Sequence, residues 1–105
     1  MRVISQDGTL DFPYELSTVR VYNEIISMGM CKDDSCRSII ARYSTEEKAL
    51  KAMEMLREQH EKVTFLKTII NTEKGTQFIR SLSETTFDKM TQNYFQFPKD
   101  DEVEV

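Results

Sequence analysis

Two cysteines and one histidine are the residues in this chain best suited to metal or nucleophile chemistry at neutral pH. Cys31 and Cys36 are spaced C-x4-C, within the range of a zinc half-site. A structural zinc needs four ligands, and the other soft ligand is His60, with Asp33 and Asp34 as weaker oxygen donors. A thioredoxin-type redox pair would need C-x-x-C, which the spacing does not give. The same pair also fits two reduced thiols flanking a hairpin loop, or a disulfide formed on oxidation. Reduced thiols are the expectation for an intracellular chain, with a metal- or redox-responsive domain built on Cys31 and Cys36 as the alternative. His60 falls one turn after Leu56 on an apolar helical stripe, where a packed imidazole is the ordinary outcome. Neighbouring carboxylates such as Asp33 with Asp34, or Glu46 with Glu47, sit at loop and cap positions. No dinucleotide, P-loop, zincin or nucleophile-elbow motif occurs. The chain is therefore expected to be no enzyme, with no catalytic residue and no cofactor. An enzyme would need a pocket in which His60 meets a cysteine or a carboxylate.

A second constellation lies near the C-terminus. Tyr94, Phe95 and Phe97 precede Asp100, Asp101, Glu102 and Glu104. Aromatics beside carboxylates suit a protein interface, and the acidic run could stand in for phosphates toward a basic partner. These seven residues are the candidate partner-binding set. Core packing of the aromatics and a solvated acidic end are the simpler alternatives.

Charge supports a protein partner over a nucleic acid. The 105 residues carry a formal net charge of −4. Residues 98–105 hold one positive and four negative charges, so the rest of the chain is close to neutral. No basic stripe is present to neutralise phosphates, so no direct nucleic-acid contact is expected. The polar face of the main helix mixes both signs, which does not suit a membrane surface. No apolar run is long enough to span a bilayer. Met1-Arg2-Val3-Ile4-Ser5 meets Asp7 without an apolar h-region, so a cytoplasmic location is expected.

These side chains must be positioned by a single α+β domain over residues 1–98, followed by an acidic tail over 99–105. The clearest element is a helix over 45–61. Ser44 and Glu47 read as its capping box. Ala49, Ala52, Met53, Leu56, His60 and Val63 fall on one stripe, and Glu47–Lys51 and Glu58–Lys62 are i,i+4 pairs in the favourable order. Before it, short β-type runs predict an antiparallel meander of three to five strands. Asp7-Gly8 is a hairpin-turn signal. Leu10 to Leu16 alternates but contains Pro13, which marks an edge or a break. Thr18 to Tyr22 and Glu24 to Met30 are joined at Asn23-Glu24, with Gly29 the candidate bulge. Arg37 to Tyr43 follows, with Ile39, Ala41 and Tyr43 on one face. The amphipathic helix is expected to cover this sheet. Val63 to Ile70 has a β-rich composition and predicts a strand or extended segment, with continuation of the helix as the alternative. Thr72 to Leu82 places Phe78, Ile79 and Leu82 at helical spacing, and Ser83-Glu84 can cap a further short helix holding Phe87 and Met90. Tyr94 to Phe97 predicts a last strand. An open sheet edge would allow a homodimer.

Three stretches carry a resemblance: Met1 to Thr9 with Phe12-Pro13-Tyr14-Glu15, Ala41 to Glu58, and Phe95 to Asp100 with the acidic end. Together they resemble a group of small, largely uncharacterised proteins encoded by prophages and other mobile elements of Gram-positive bacteria. The likeness covers both ends and the central helix, not residues 16–38 or 60–93, and brings no catalytic residues. It implies a phage or mobile-element accessory protein that binds a host protein. An inhibitor of a CRISPR-type defence nuclease, occupying its basic nucleic-acid-binding surface, is the leading form of that expectation.

Overall fold

The computed structural model describes residues 1–30, 36–69, 72–81 and 92–105. Its longest element is α1, Glu46–Ile69. Thr45 starts it: its hydroxyl oxygen accepts the amide of Lys48 at 3.2 Å, an N-cap that satisfies one of the orphan donors of the first turn. The cap therefore lies one residue after the expected Ser44. Along α1 the stripe Ala49, Ala52, Met53 and Leu56 is buried. The strand expected from Val63 onward is instead more helix. Val63 and Leu66 stand seven and ten residues after Leu56, on the same stripe, and both are buried. Burial of that stripe outweighs the modest β preference of the local composition. At about 1.5 Å per residue α1 is roughly 36 Å long.

A tight corner follows. The Thr72 hydroxyl donates to the Ile69 carbonyl at 2.8 Å and accepts the Gly75 amide at 2.9 Å. It thus closes α1 and caps α2, Glu73–Ser81. Glycine is required at 75, because a Cβ there would stand 1.9 Å from the Ile69 carbonyl oxygen. Phe78 on α2 meets Phe65 of α1 edge to face at 6.4 Å. The expected further helix, with Phe87 and Met90, lies outside the described residues.

The fold is α+β, with two three-stranded sheets where one meander was expected. The first has order β2-β1-β6. The strand β1 (Arg2–Ile4) is central, antiparallel to β2 (Asp11–Pro13) and parallel to β6 (Tyr94–Gln96). Val3 sits between Phe12 and Phe95 in the register. The β1–β2 turn is built by Ser5, Asp7 and Gly8. Gly8 adopts φ +79°, a left-handed conformation that suits a residue without Cβ. The Asp7 carboxylate accepts from the Ser5 hydroxyl at 2.6 Å and from the hydroxyl and amide of Thr9. Pro13 ends β2 on the sheet edge, and a 3-10 turn, Tyr14–Leu16, follows.

The second sheet is the antiparallel meander β3 (Thr18–Tyr22), β4 (Ile25–Gly29) and β5 (Ser38–Arg42). Asn23 takes φ 53° in the β3–β4 turn. The bulge expected at Gly29 lies instead opposite Ile26 and Ser27, where the β5 register slips at Ile40. One extra residue breaks the alternation. Ile40 and Ala41 are therefore both buried, while Ile39, expected on the inner face, is 45% exposed. Gly29 serves a close approach: a Cβ on it would meet the Arg37 side chain at 3.0 Å. The Arg37 guanidinium lies across β3 and β4, donating to the Thr18 hydroxyl at 2.6 Å and to the Ser27 carbonyl at 2.8 Å. The two sheets meet where Gln6 donates its amide to the Ile40 carbonyl and its side-chain oxygen accepts the Arg42 amide. A single core joins both sheets to α1. Among the described residues no helix is long and apolar enough to cross a membrane.

Candidate functional site: an ordered acidic end and a cavity under the sheet edge

The acidic segment is docked on the body of the protein. After β6, Phe97 inserts into the core at 1% exposure. The Pro98 carbonyl then accepts from the Tyr43 hydroxyl at 2.8 Å and from the Gln6 side-chain amide at 3.1 Å. Residues Asp100–Glu102 form a 3-10 turn, closed by the Glu102 carboxylate accepting the Lys99 amide at 3.0 Å. Val103 returns into the core, 3% exposed. The tail expected over 99–105 is thus tied down as far as Val103, because apolar anchors at Phe97 and Val103 bracket the charged residues. Asp100 faces the start of α1. Its carboxylate accepts the Ser44 amide at 2.6 Å and lies 3.4 Å from the Lys48 ammonium. A carboxylate at a helix N-terminus also meets the positive end of the helix dipole. The Ser44 amide, with a smaller pull from Lys48, holds the Asp100 carboxyl below its ordinary range. Burial pushes the Tyr43 phenol up, and the nearby Asp100 and Glu102 charges raise it further.

The candidate partner residues therefore divide. Phe95 and Phe97 form an edge-to-face pair at 5.2 Å inside the core. They are packing residues, because the inward positions of β6 and its continuation fall on them. Tyr94, 44% exposed, lies at the surface. Asp101, Glu102 and Glu104 are exposed, and the first turn of α1 adds exposed Glu46 and Glu47 to the same end. That addition is not legible in the sequence, because residues 46–47 and 100–104 are brought together by the contacts of Ser44 and Lys48 with Asp100.

No known protein family, curated protein or solved structure matches the chain.

The other sequence candidates are dispersed. Cys36 is disulfide-bonded and so is no free thiol, against the expectation of reduced thiols; Cys31 lies outside the described residues. A disulfide sulfur offers no thiolate to a metal, so the metal alternative at this pair would require reduction first. Among the described residues no group of three or more His, Cys, Asp or Glu side chains is placed to hold a metal ion.

His60 does meet a carboxylate. A cavity of about 480 Å³ is lined by Tyr14, Glu15, Ser17, Val19, Met53, Leu56, Arg57 and His60. The His60 ring stacks on Tyr14 at 4.4 Å, tilted by 41°, and its Nε2 lies 3.8 Å from Glu15. That is an ion-pair distance, beyond a hydrogen bond. Glu15 accepts instead from the Met1 α-amino group at 2.6 Å. The ammonium holds the Glu15 carboxyl below its ordinary range, with His60 adding a smaller pull. The Ser17 hydroxyl donates to the Pro13 carbonyl at 2.6 Å. Glu15 Oε1 faces both the Met1 ammonium and His60, and the Ser17 hydroxyl is engaged with Pro13, so these residues form no hydrogen-bonded nucleophile–base pair.

Proposed function

We propose that this chain is a non-enzymatic protein-binding accessory whose acidic end seats on a basic surface of its partner. The observation that carries it is the fixed geometry of that end. Asp101, Glu102 and Glu104 are presented beside Glu46 and Glu47 on backbone anchored by Phe97, Val103 and the Asp100–Ser44 contact. A mobile acidic tail would lose conformational entropy on binding; a docked one has already lost most of it on folding. Among basic partners, the nucleic-acid-binding groove of a CRISPR-type host nuclease is the class favoured by the resemblance to prophage and mobile-element proteins. Charge mimicry of this kind acts by occupying phosphate-binding lysines and arginines.

The test is DNA cleavage by a panel of RNA-guided nucleases from Gram-positive bacteria, with the intact protein added before target DNA. Expected is inhibition of at least one effector that weakens as salt rises and is lost in the Asp101→Asn/Glu102→Gln/Glu104→Gln variant. Full cleavage across the panel removes the nuclease assignment. Inhibition that survives neutralisation removes the role of the acidic end.

A further inference from the structure

The edges of the two sheets are protected unequally among the described residues. β2 has three residues and ends in Pro13, and β6 also has three. The outer side of β5 is covered by Gln6, which bonds the Ile40 carbonyl and the Arg42 amide. β3 has five residues, Thr-Val-Arg-Val-Tyr, pairs with β4 on one side and has no described strand on the other. Natural sheets rarely leave a regular edge of this composition uncovered.

The register says which backbone groups are open. The two-residue turn at Asn23-Glu24 makes Tyr22 and Ile25 a hydrogen-bonded pair, so Arg20–Ser27 and Thr18–Gly29 are hydrogen-bonded pairs as well. The amides and carbonyls of Val19 and Val21 therefore point away from β4, to the open side. Their side chains point inward, partly buried against the core. Val19 also lines the cavity that holds Tyr14, His60 and Arg57. A strand added beside β3 would place alternate side chains on that same inner face.

The cavity has a defined polarity. Its floor is Val19, Met53 and Leu56. Arg57 is exposed, and among the described residues its guanidinium has no ion-pair or hydrogen-bond partner. Glu15, the one acidic group in the lining, is already matched by the Met1 ammonium at 2.6 Å. His60 and the Tyr14 hydroxyl complete a set dominated by donors.

From this juxtaposition of a five-residue edge with no described strand beside it and an apolar-floored cavity bearing a cation unpaired among the described residues, we infer that β3 takes up an extended segment of a partner protein by strand addition. The segment carries an acidic and an aliphatic side chain two residues apart. The open Val19 and Val21 groups supply the ladder, the cavity floor takes the aliphatic group, and Arg57 pairs with the carboxylate. A second copy paired through β3 fits less well, because Thr18–Tyr22 holds no carboxylate to meet Arg57. The surface is separate from the acidic end, and its partner has the opposite charge.

The experiment is selection of a random-peptide display library on the intact protein, followed by binding of the enriched peptides. Expected are sequences with Asp or Glu two residues from Val, Ile or Leu. Their affinity should fall about tenfold or more in Arg57→Glu and by less in Arg57→Gln, as for loss of a charge-assisted pair. Neither substitution removes a contact that the fold uses. On peptide binding, hydrogen exchange should slow at the Val19 and Val21 amides and stay unchanged at Arg20 and Tyr22, which are already bonded to β4. The inference is overturned by the absence of enrichment, by peptides indifferent to Arg57, or by lysine-rich peptides that depend on Asp101 and Glu102 instead. It is equally overturned if the free protein is a dimer with Val19 and Val21 already protected, since a second copy then occupies the edge.

Discussion

Val103→Ala probes the docking of the acidic end. The substitution removes two methyl groups from a site that is 3% exposed. At about 0.8 kcal/mol for each buried carbon group the transfer loss is about 1.6 kcal/mol, and a cavity contribution adds to it. Residues 99–105 form a short segment held at one side, so they can settle partly into the gap, and the total is expected to stay near about 2 kcal/mol. For a domain of this size that lowers Tm by about 10 °C, measured by circular dichroism and checked by urea denaturation. Hydrogen exchange gives an independent readout. The Glu102 amide donates to the Lys99 carbonyl at 3.0 Å and the Val103 amide to the Asp100 carbonyl at 3.4 Å, and both should exchange faster in the variant. A Tm shift below about 2 °C, with those amides already unprotected in the parent protein, would refute the docking and return the segment to a solvated tail.

Two further outcomes follow from local geometry. Thr45→Ala should cost about 1 kcal/mol, the usual loss of an N-cap hydroxyl. Ser44→Ala should cost less, because Ser44 meets Asp100 chiefly through its backbone amide; equal effects in thermal melts would restore Ser44 as the cap. Asp7 gives a pH signature. The Ser5 hydroxyl, then the Thr9 hydroxyl and amide, lower its carboxyl to about 2. A depressed folded value means a stabilising contribution that is complete above the unfolded value near 4 and lost as pH falls toward 2. The stability gap between the parent and Asp7→Asn should therefore be constant above about pH 5 and close between about pH 4 and 2; a gap that persists at pH 2 contradicts the assignment.

The elements best read from sequence were those whose signal is local. The Asp7-Gly8 turn, the β3–β4 hairpin and the stripe from Ala49 to Leu56 each follow from neighbours a few residues apart. Longer-range decisions were not legible. The parallel pairing of Val3 with Phe95 joins residues at opposite ends of the chain. It splits what looks like one meander into two sheets. The slip at Ile40 cannot be seen in an alternation that a bulge itself interrupts. At Val63 and Leu66, β-branched and aromatic neighbours obscured a stripe that burial enforces. The candidate site shows the same limit. Asp101, Glu102 and Glu104 could be named from charge alone, but their rigidity depends on Val103 and on Asp100 finding Ser44. Phe95 and Phe97, candidates for the partner-binding set with core packing as the alternative, had to be seen in the core to be set aside. The approach of Glu15 to His60 depends on Met1 and on a 3-10 turn that no motif announces.

The most direct measurement is capture from a Gram-positive lysate on the tagged intact protein, with bound proteins quantified in steps of rising salt. The Asp101→Asn/Glu102→Gln/Glu104→Gln variant runs in parallel. Expected is one basic, nucleic-acid-handling protein held near stoichiometry at low salt, released as ionic strength rises, and missing from the variant. Recovery of the same partner by both proteins at all salt concentrations, or of no partner by either, would contradict the claim that the ordered acidic end is a binding surface.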